Sequence, residues 1–189
     1  MRPHRLLLAA AALTGTLAGA QEPALVEGYL CCNLRTDGRW ISDSNYLESG
    51  KTTLPLGTPI KATGYGRYRV LVQVDGQPQA LGNDYSREIP MADFARRYIV
   101  AENPAHKLAG FDPVVREAIA SSRVMRGMTR EQVLMALSYP IASETPHLDL
   151  RVWKYWLWSF SPFEIHFGND GRVTHVRTDP QTRLRVEKE

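Results

Sequence analysis

Hydrophobic positions are spaced differently in the two halves of the chain. From Val26 to about Val100, short apolar runs such as YRVLVQV (Tyr68–Val74) alternate with the turn-forming clusters LESGK, LPLGTP, TGYG, VDGQP and LGND. Strands of that length, with turns about every ten residues, predict a small barrel or a strongly bent sheet. Asp75-Gly76 is the clearest hairpin signal, because Gly accepts a positive φ without penalty. MADFARRYIV (Met91–Val100) fits a short helix or a final strand, and periodicity does not separate the two.

Beyond Asn103-Pro104 and Ala109-Gly110 the period changes. Asp112-Pro113 predicts a helix start, with the Asp side chain accepting from free backbone N–H groups and Pro at the first helical position. Val115, Ala118, Ile119 and Ser122 then share one face, so this helix runs to about Ser122. The stretch GMTREQVLMALSYP (Gly127–Pro140) predicts a second helix. Thr129 and Gln132 form a capping box, Met128 and Val133 sit where a hydrophobic staple would close over it, and Pro140 forbids continuation. Val133, Leu134 and Leu137 make its apolar face.

Three strands follow. In RVWKYWLW, period-two alternation puts Trp153, Tyr155 and Leu157 on one face and Val152, Lys154, Trp156 and Trp158 on the other. In FEIHFGNDGRVTHV, Phe163, Ile165 and Phe167 alternate with Glu164 and His166 before Asn169-Asp170-Gly171 turns the chain. Simple register there sets Glu164 opposite His175. The fold class expected is α+β, with a small β-rich, barrel-like domain at 21–105 and a helix-helix-antiparallel sheet module at 106–189. The charged tail TRLRVEKE reads as a frayed strand end or as disordered.

The first twenty residues, MRPHRLLLAAAALTGTLAGA, read as a secretory signal: Arg2 and Arg5, an apolar run shorter than a membrane span, and small residues before Gln21. The expected product lies in the periplasm, associated with the cell envelope, and has no transmembrane segment after cleavage. No Cys stands at the cleavage point, so no lipid anchor is expected. Taking Arg2 and Arg5 from the 23 Lys and Arg leaves 21 against 20 Asp and Glu, a balance of +1. Basic residues are interspersed with acidic ones, as in SREIPMADFARR, which argues against nucleic acid as a partner.

The ordered series GMTREQVLMALSYP, VWKYW and FEIHFGNDGRVTHV resembles the SmpA/OmlA (BamE-like) domain, over about residues 112–178. That resemblance implies an αα-βββ module with a three-stranded antiparallel sheet. It also implies a non-catalytic role in protein and lipid contacts at the outer membrane. The chain departs from the family in three ways: it lacks the anchor Cys, it carries an additional N-terminal half, and Ser138 stands near the helix end where the family usually has Gly.

Candidates for chemistry are few. Cys31 and Cys32 are the only cysteines. Adjacent Cα atoms lie about 3.8 Å apart, below the ~4.4 Å lower edge for ordinary disulfides, so a bridge between them needs local distortion. Inert packing, a vicinal disulfide, and redox, metal or intermolecular use all stay open. His106, His147, His166 and His175 are too scattered for a zinc site. No nucleophile elbow or phosphate loop occurs, and Gly64-Tyr65-Gly66 reads as a turn. No cofactor is expected. Trp156, Trp158 and Phe160 form the candidate interaction surface, either packing on the N-terminal half or docking an envelope or outer-membrane protein. Trp40 reads as a core aromatic.

These observations point to a non-enzymatic envelope protein acting in binding or assembly, with peripheral membrane association compatible. Two alternatives are a thiol-redox or metal-binding protein centred on Cys31 and Cys32, and an inhibitor-like binder of a secreted enzyme.

Overall fold

In the computed structural model, which describes residues 24–189, the secretory signal expected at 1–20 falls outside the described part. Most of the predicted turns close strands. The N-terminal half supplies β1 (Glu27–Leu30), β2 (Leu34–Thr36), β3 (Trp40–Ser42), β4 (Thr52–Leu54), β5 (Pro59–Gly66), β6 (Arg69–Val74) and β7 (Gln77–Gly82). Asp75 and Gly76 both take positive φ, 48° and 78°, as a two-residue hairpin turn requires, and Val74 pairs with Gln77 across it. TGYG is no turn. Its glycines lie inside β5, where the register slips between Ala62 and Gly64, a bulge that bends the strand instead of reversing it.

MADFARRYIV is both helix and strand. Phe94, Ala95 and Tyr98 fall on one face of α1 (Met91–Tyr98) and are buried, after which β8 (Ile99–Val100) pairs with β1. The eight strands run β4-β2-β3-β7-β6-β5-β1-β8 and curl into a half-barrel. Only β3 and β7 pair in parallel. The sheet ends in two short strands, β4 and β8, which do not pair with each other to close a full barrel. Residues of α1 share one core cluster with Val70, Val72, Ile60 and Leu81. Trp40 is half-buried: its ring lies over Gly82, and its indole N–H donates to Asp84 Oδ2 (3.1 Å).

The other half is built from α2 (Ala105–Leu108), α3 (Pro113–Ala120), α4 (Arg130–Leu137), β9 (Val152–Trp156), β10 (Pro162–Phe167), β11 (Val173–Arg177) and α5 (Pro180–Val186). The capping box of α4 forms in full: Gln132 N–H donates to Thr129 Oγ1 (3.3 Å) and Thr129 N–H to Gln132 Oε1 (2.8 Å). Met128 and Val133 are both fully buried beside it. Asp112, in contrast, makes no capping bond, so α3 starts on Pro113 without one.

Trp153, Tyr155, Leu157, Phe163, Ile165 and Phe167 all point into the core shared with α3 and α4, as the alternation predicts. A bulge between His166 and Phe167 shifts the last pairing. With a three-residue turn closed by Gly168 N–H to Arg172 O (2.8 Å) supplying one further shift, Glu164 faces Arg177 and His166 faces His175, the rings stacked 4.3 Å apart, in place of the simple Glu164–His175 register. The tail is ordered as α5. Asp179 Oδ1 accepts from the N–H groups of Gln181 (2.9 Å) and Thr182 (3.0 Å), and Thr182 and Val186 are buried while Arg183 and Arg185 face outward.

Two apolar clusters result, and each borrows from the other half. Leu56 belongs to the cluster of α3, α4 and the three-stranded sheet, and Tyr139 packs on the half-barrel cluster, its ring 5.7 Å from that of Tyr98. The seam between them is polar. Asn33 Nδ2 donates to Ile119 O (2.6 Å) near the end of α3, while its Oδ1 accepts from Leu56 N–H (2.9 Å). Asn45 Nδ2 donates to Leu137 O (3.0 Å) at the end of α4. Leu137 O, which the helix end leaves without a backbone partner, is thus satisfied by an asparagine from the other half, and Ile119 O, which already accepts from Ser122 N–H (2.9 Å), gains a second donor.

Candidate functional site

The stretch CCNLR bends at Cys31 and Cys32 and runs extended only from Leu34, where β2 begins. Cys32 and Leu34 are fully buried in the half-barrel core with the half-buried Cys31 packed against it, while Asn33 and Arg35 reach toward the seam. Its backbone is tied on both sides: Cys31 N–H donates to Tyr98 O (3.0 Å) and Asn33 N–H to Met135 O (3.0 Å). Cys31 and Cys32 are joined in a vicinal disulfide, and neither is a free thiol.

Cys31 borders a groove of about 700 Å³ between the half-barrel and α4. Tyr29 and Val100 come from the paired strands β1 and β8, and Leu134, Met135 and Tyr139 from α4 and the turn after it. A disulfide, a thioether and two phenol rings make a polarisable, mostly apolar wall. Burial raises the pKa of the Tyr139 hydroxyl, and Arg97 stacks 5.4 Å over the Tyr139 ring with a smaller opposing effect.

Charge sits at the groove's rim. Glu102, His106, Lys107 and Glu131 line it, and Lys107 Nζ reaches Glu131 Oε1 (2.5 Å), linking α2 to α4. Glu131 raises the Lys107 pKa by hydrogen bonding first and by charge second. Both side chains are more than half exposed, so the pair orients the rim and adds little to stability. Along one side runs β8, the end strand of its sheet, with β1 as its only strand partner.

The aromatic candidates lie elsewhere, and none of them lines the groove. Trp156 is half-buried, with Lys154 Nζ 5.2 Å over its ring, and it borders a narrow cleft together with Arg35 and Ser44 of the N-terminal half. Trp158 is 36% exposed and Phe160 92% exposed. Among the described residues no three His, Cys, Asp or Glu side chains cluster as a metal would need. The groove escapes sequence reading because Tyr29, Val100, Leu134 and Tyr139 come from distant segments. Leu134 reads only as part of an apolar helix face, although that face extends beyond what the helix needs for its own core.

Comparison of the chain with family models, with curated proteins and with solved structures finds no match.

Proposed function

We propose that the protein is an exported, non-enzymatic contact protein of the cell envelope, its C-terminal half a BamE-like module. We place its partner-binding site in the groove beside β8 and α4, with an extended apolar segment of another envelope protein as the occupant. The observation that carries this reading is the apolar groove running beside an end strand. Such a strand offers main-chain donors and acceptors to an added strand, and the groove offers pockets for alternate side chains. The charged rim would fix direction and register, as polar rims do around apolar centres. No helix among the described residues is long and apolar enough to cross a membrane, which agrees with a partner reached from the aqueous side.

The test is site-specific photocrosslinking in intact cells, with a photoreactive residue at Leu134 in one strain and at Phe160 in another. Adducts at Leu134 that map by mass spectrometry to one extended apolar segment of an exported protein support the groove. Adducts confined to Phe160 move the binding surface to the aromatic face. A second reading, thiol chemistry at Cys31, is favoured by the disulfide's place on the groove wall. Replacing both cysteines with Ser leaves the Leu134 adduct intact on the contact reading and abolishes activity on the thiol reading.

A further inference from the structure

Arg35, at the other end of the CCNLR stretch from Cys31, borders a separate polar hollow of about 310 Å³. Three guanidinium side chains line it: Arg35 from β2, Arg123 from the turn after α3, and Arg185 from α5. Its other polar contributors are the hydroxyl side chains of Thr53, Ser121 and Ser122, and it contains no carboxylate.

What sets these arginines apart is that they meet at one hollow without a carboxylate. Arg96, Arg177 and Arg183 pair with Asp93, Glu164 and Glu187 respectively, whereas Arg35, Arg123 and Arg185, like most other arginines among the described residues, form no ion pair. The contrast holds within one helix. Arg183 reaches Glu187 one turn on, and Arg185, two residues away, is left facing the hollow.

Arg35 is the most demanding of the three. Its Nη1 donates to Asn45 O (2.7 Å), its Nε is buried with no partner, and burial lowers its pKa. A guanidinium partly withdrawn from water and given one carbonyl in place of a carboxylate is costly to keep charged unless an anion joins it. Ser122 completes the lining in a usable state. Its Oγ accepts from Asn33 Nδ2 (3.2 Å), which leaves the hydroxyl proton free to be donated to a ligand.

We propose that this hollow binds the phosphate group of a phosphate ester, held by the Arg35, Arg123 and Arg185 guanidiniums with a hydrogen bond from Ser122. Guanidinium forks match phosphate oxygens in pairs. A dianion neutralises two of the three positive charges, where a carboxylate would neutralise one. The same chemistry is offered by a soluble phosphate ester and by a lipid headgroup.

The experiment is calorimetric titration of the full exported chain with inorganic phosphate at constant ionic strength, repeated with acetate and chloride. Phosphate binding is expected, with acetate at least several-fold weaker and chloride silent. Arg123→Gln and Arg185→Gln should each weaken phosphate binding about tenfold, the loss of one charge-assisted contact. Arg35→Lys, which keeps the charge and removes the fork, should weaken it as well. Phosphate should raise the unfolding midpoint of the wild type and not of the Arg123→Gln/Arg185→Gln double variant. Cosedimentation with phosphatidylcholine vesicles carrying phosphatidic acid, reversed by phosphate, assigns the site to a headgroup. Phosphate binding without cosedimentation assigns it to a soluble ester. No binding at millimolar phosphate, or equal binding by the double variant, overturns the proposal. Arg123 and Arg185 lie at the surface, so the test stands even if Arg35→Lys fails to fold.

Discussion

Ser138→Gly should stabilise the protein, although it removes atoms from a fully buried position. Ser138 ends α4 with φ 75° and ψ −175°, a backbone region that essentially only Gly adopts without strain. Its Oγ is buried with no hydrogen-bond partner beyond a weak contact with the Tyr98 hydroxyl. The strain is worth about 1–3 kcal/mol and the unpaired hydroxyl about 1–3 kcal/mol more. Against this stand about 0.4–1 kcal/mol for the greater freedom of Gly in the unfolded chain, and about 1 kcal/mol for the lost packing of one small side chain. The backbone bonds are kept: Ser138 N–H donates to Leu134 O (2.8 Å), and Ser138 O accepts from the Tyr155 hydroxyl (3.0 Å). The net gain is centred on about 2 kcal/mol, or roughly 4–8 °C in unfolding midpoint for a chain of this size. Urea denaturation and calorimetry of the wild type, Ser138→Gly and Ser138→Ala separate the contributions. The Ala variant removes the hydroxyl but keeps the strain, so it should fall between the other two. A Gly variant less stable than wild type, with an unchanged m-value, would refute the reasoning.

Three further perturbations test the seam, a buried carboxyl and the groove wall. Asn33→Ala strands Leu56 N–H without a partner and removes one of the two donors to Ile119 O, which keeps Ser122 N–H (2.9 Å), and should cost about 1–3 kcal/mol in urea denaturation; a loss below about 0.5 kcal/mol would mean that water replaces the amide freely. Burial pushes the Asp43 carboxyl up to about 6 from 3.8, against N–H donors from Tyr85 and Asp84 that act in the opposite direction. The folded state therefore holds this proton where the unfolded chain has released it, so the contribution is fully present below about pH 4 and is lost as pH rises through about 6, on the order of 3 kcal/mol in all. Asp43→Asn should flatten that part of the pH profile of the unfolding midpoint, and an unchanged profile counts against the assignment. A Cβ at Gly28 would collide with the Val100 carbonyl, so Gly28→Ala should push β8 off β1, cost about 1–3 kcal/mol, and speed amide exchange in β1 before the rest of the sheet; uniform protection would show that the edge adapts.

The legible parts of the fold were those written locally. The Thr129–Gln132 box, the Asp75-Gly76 turn and the alternation through Trp153, Tyr155 and Leu157 each depend on residues within a few positions of one another, and all three form as expected. Errors came where a local signal was cheap or was overlooked. Gly64 and Gly66 serve a bulged strand as well as a turn, and the Asp-Pro pair at 179–180 starts a helix as surely as the one at 112–113. Of the two, only Asp179 makes the capping bonds. The bulge at His166 and Phe167 changes a register that counting alone sets differently. The groove and the arginine hollow were illegible for another reason. Each joins segments more than fifty residues apart, and nothing in Leu134 or Arg185 taken singly marks what it will meet.

The CCNLR stretch connects these features in a way that neither half could provide alone. Within five residues, Cys31 reaches the groove, Asn33 holds the ends of α3 and α4, and Arg35 enters the hollow, while Cys32 and Leu34 anchor the strand in the half-barrel. Alternation makes the arrangement work from Asn33 onward, with Leu34 in the half-barrel core and Asn33 and Arg35 on the other side. A polar seam also serves it better than an apolar one. Hydrogen bonds from Asn33 and Asn45 fix which carbonyl meets which amide, where a greasy contact would tolerate sliding, and a misplaced amide would leave buried groups unpaired. The seam therefore sets the width of the groove, because α4 carries one wall and the half-barrel the other. For this reason the fully buried asparagine next to the disulfide, and not the exposed aromatic face, is where a small change in sequence should most alter what the protein can hold.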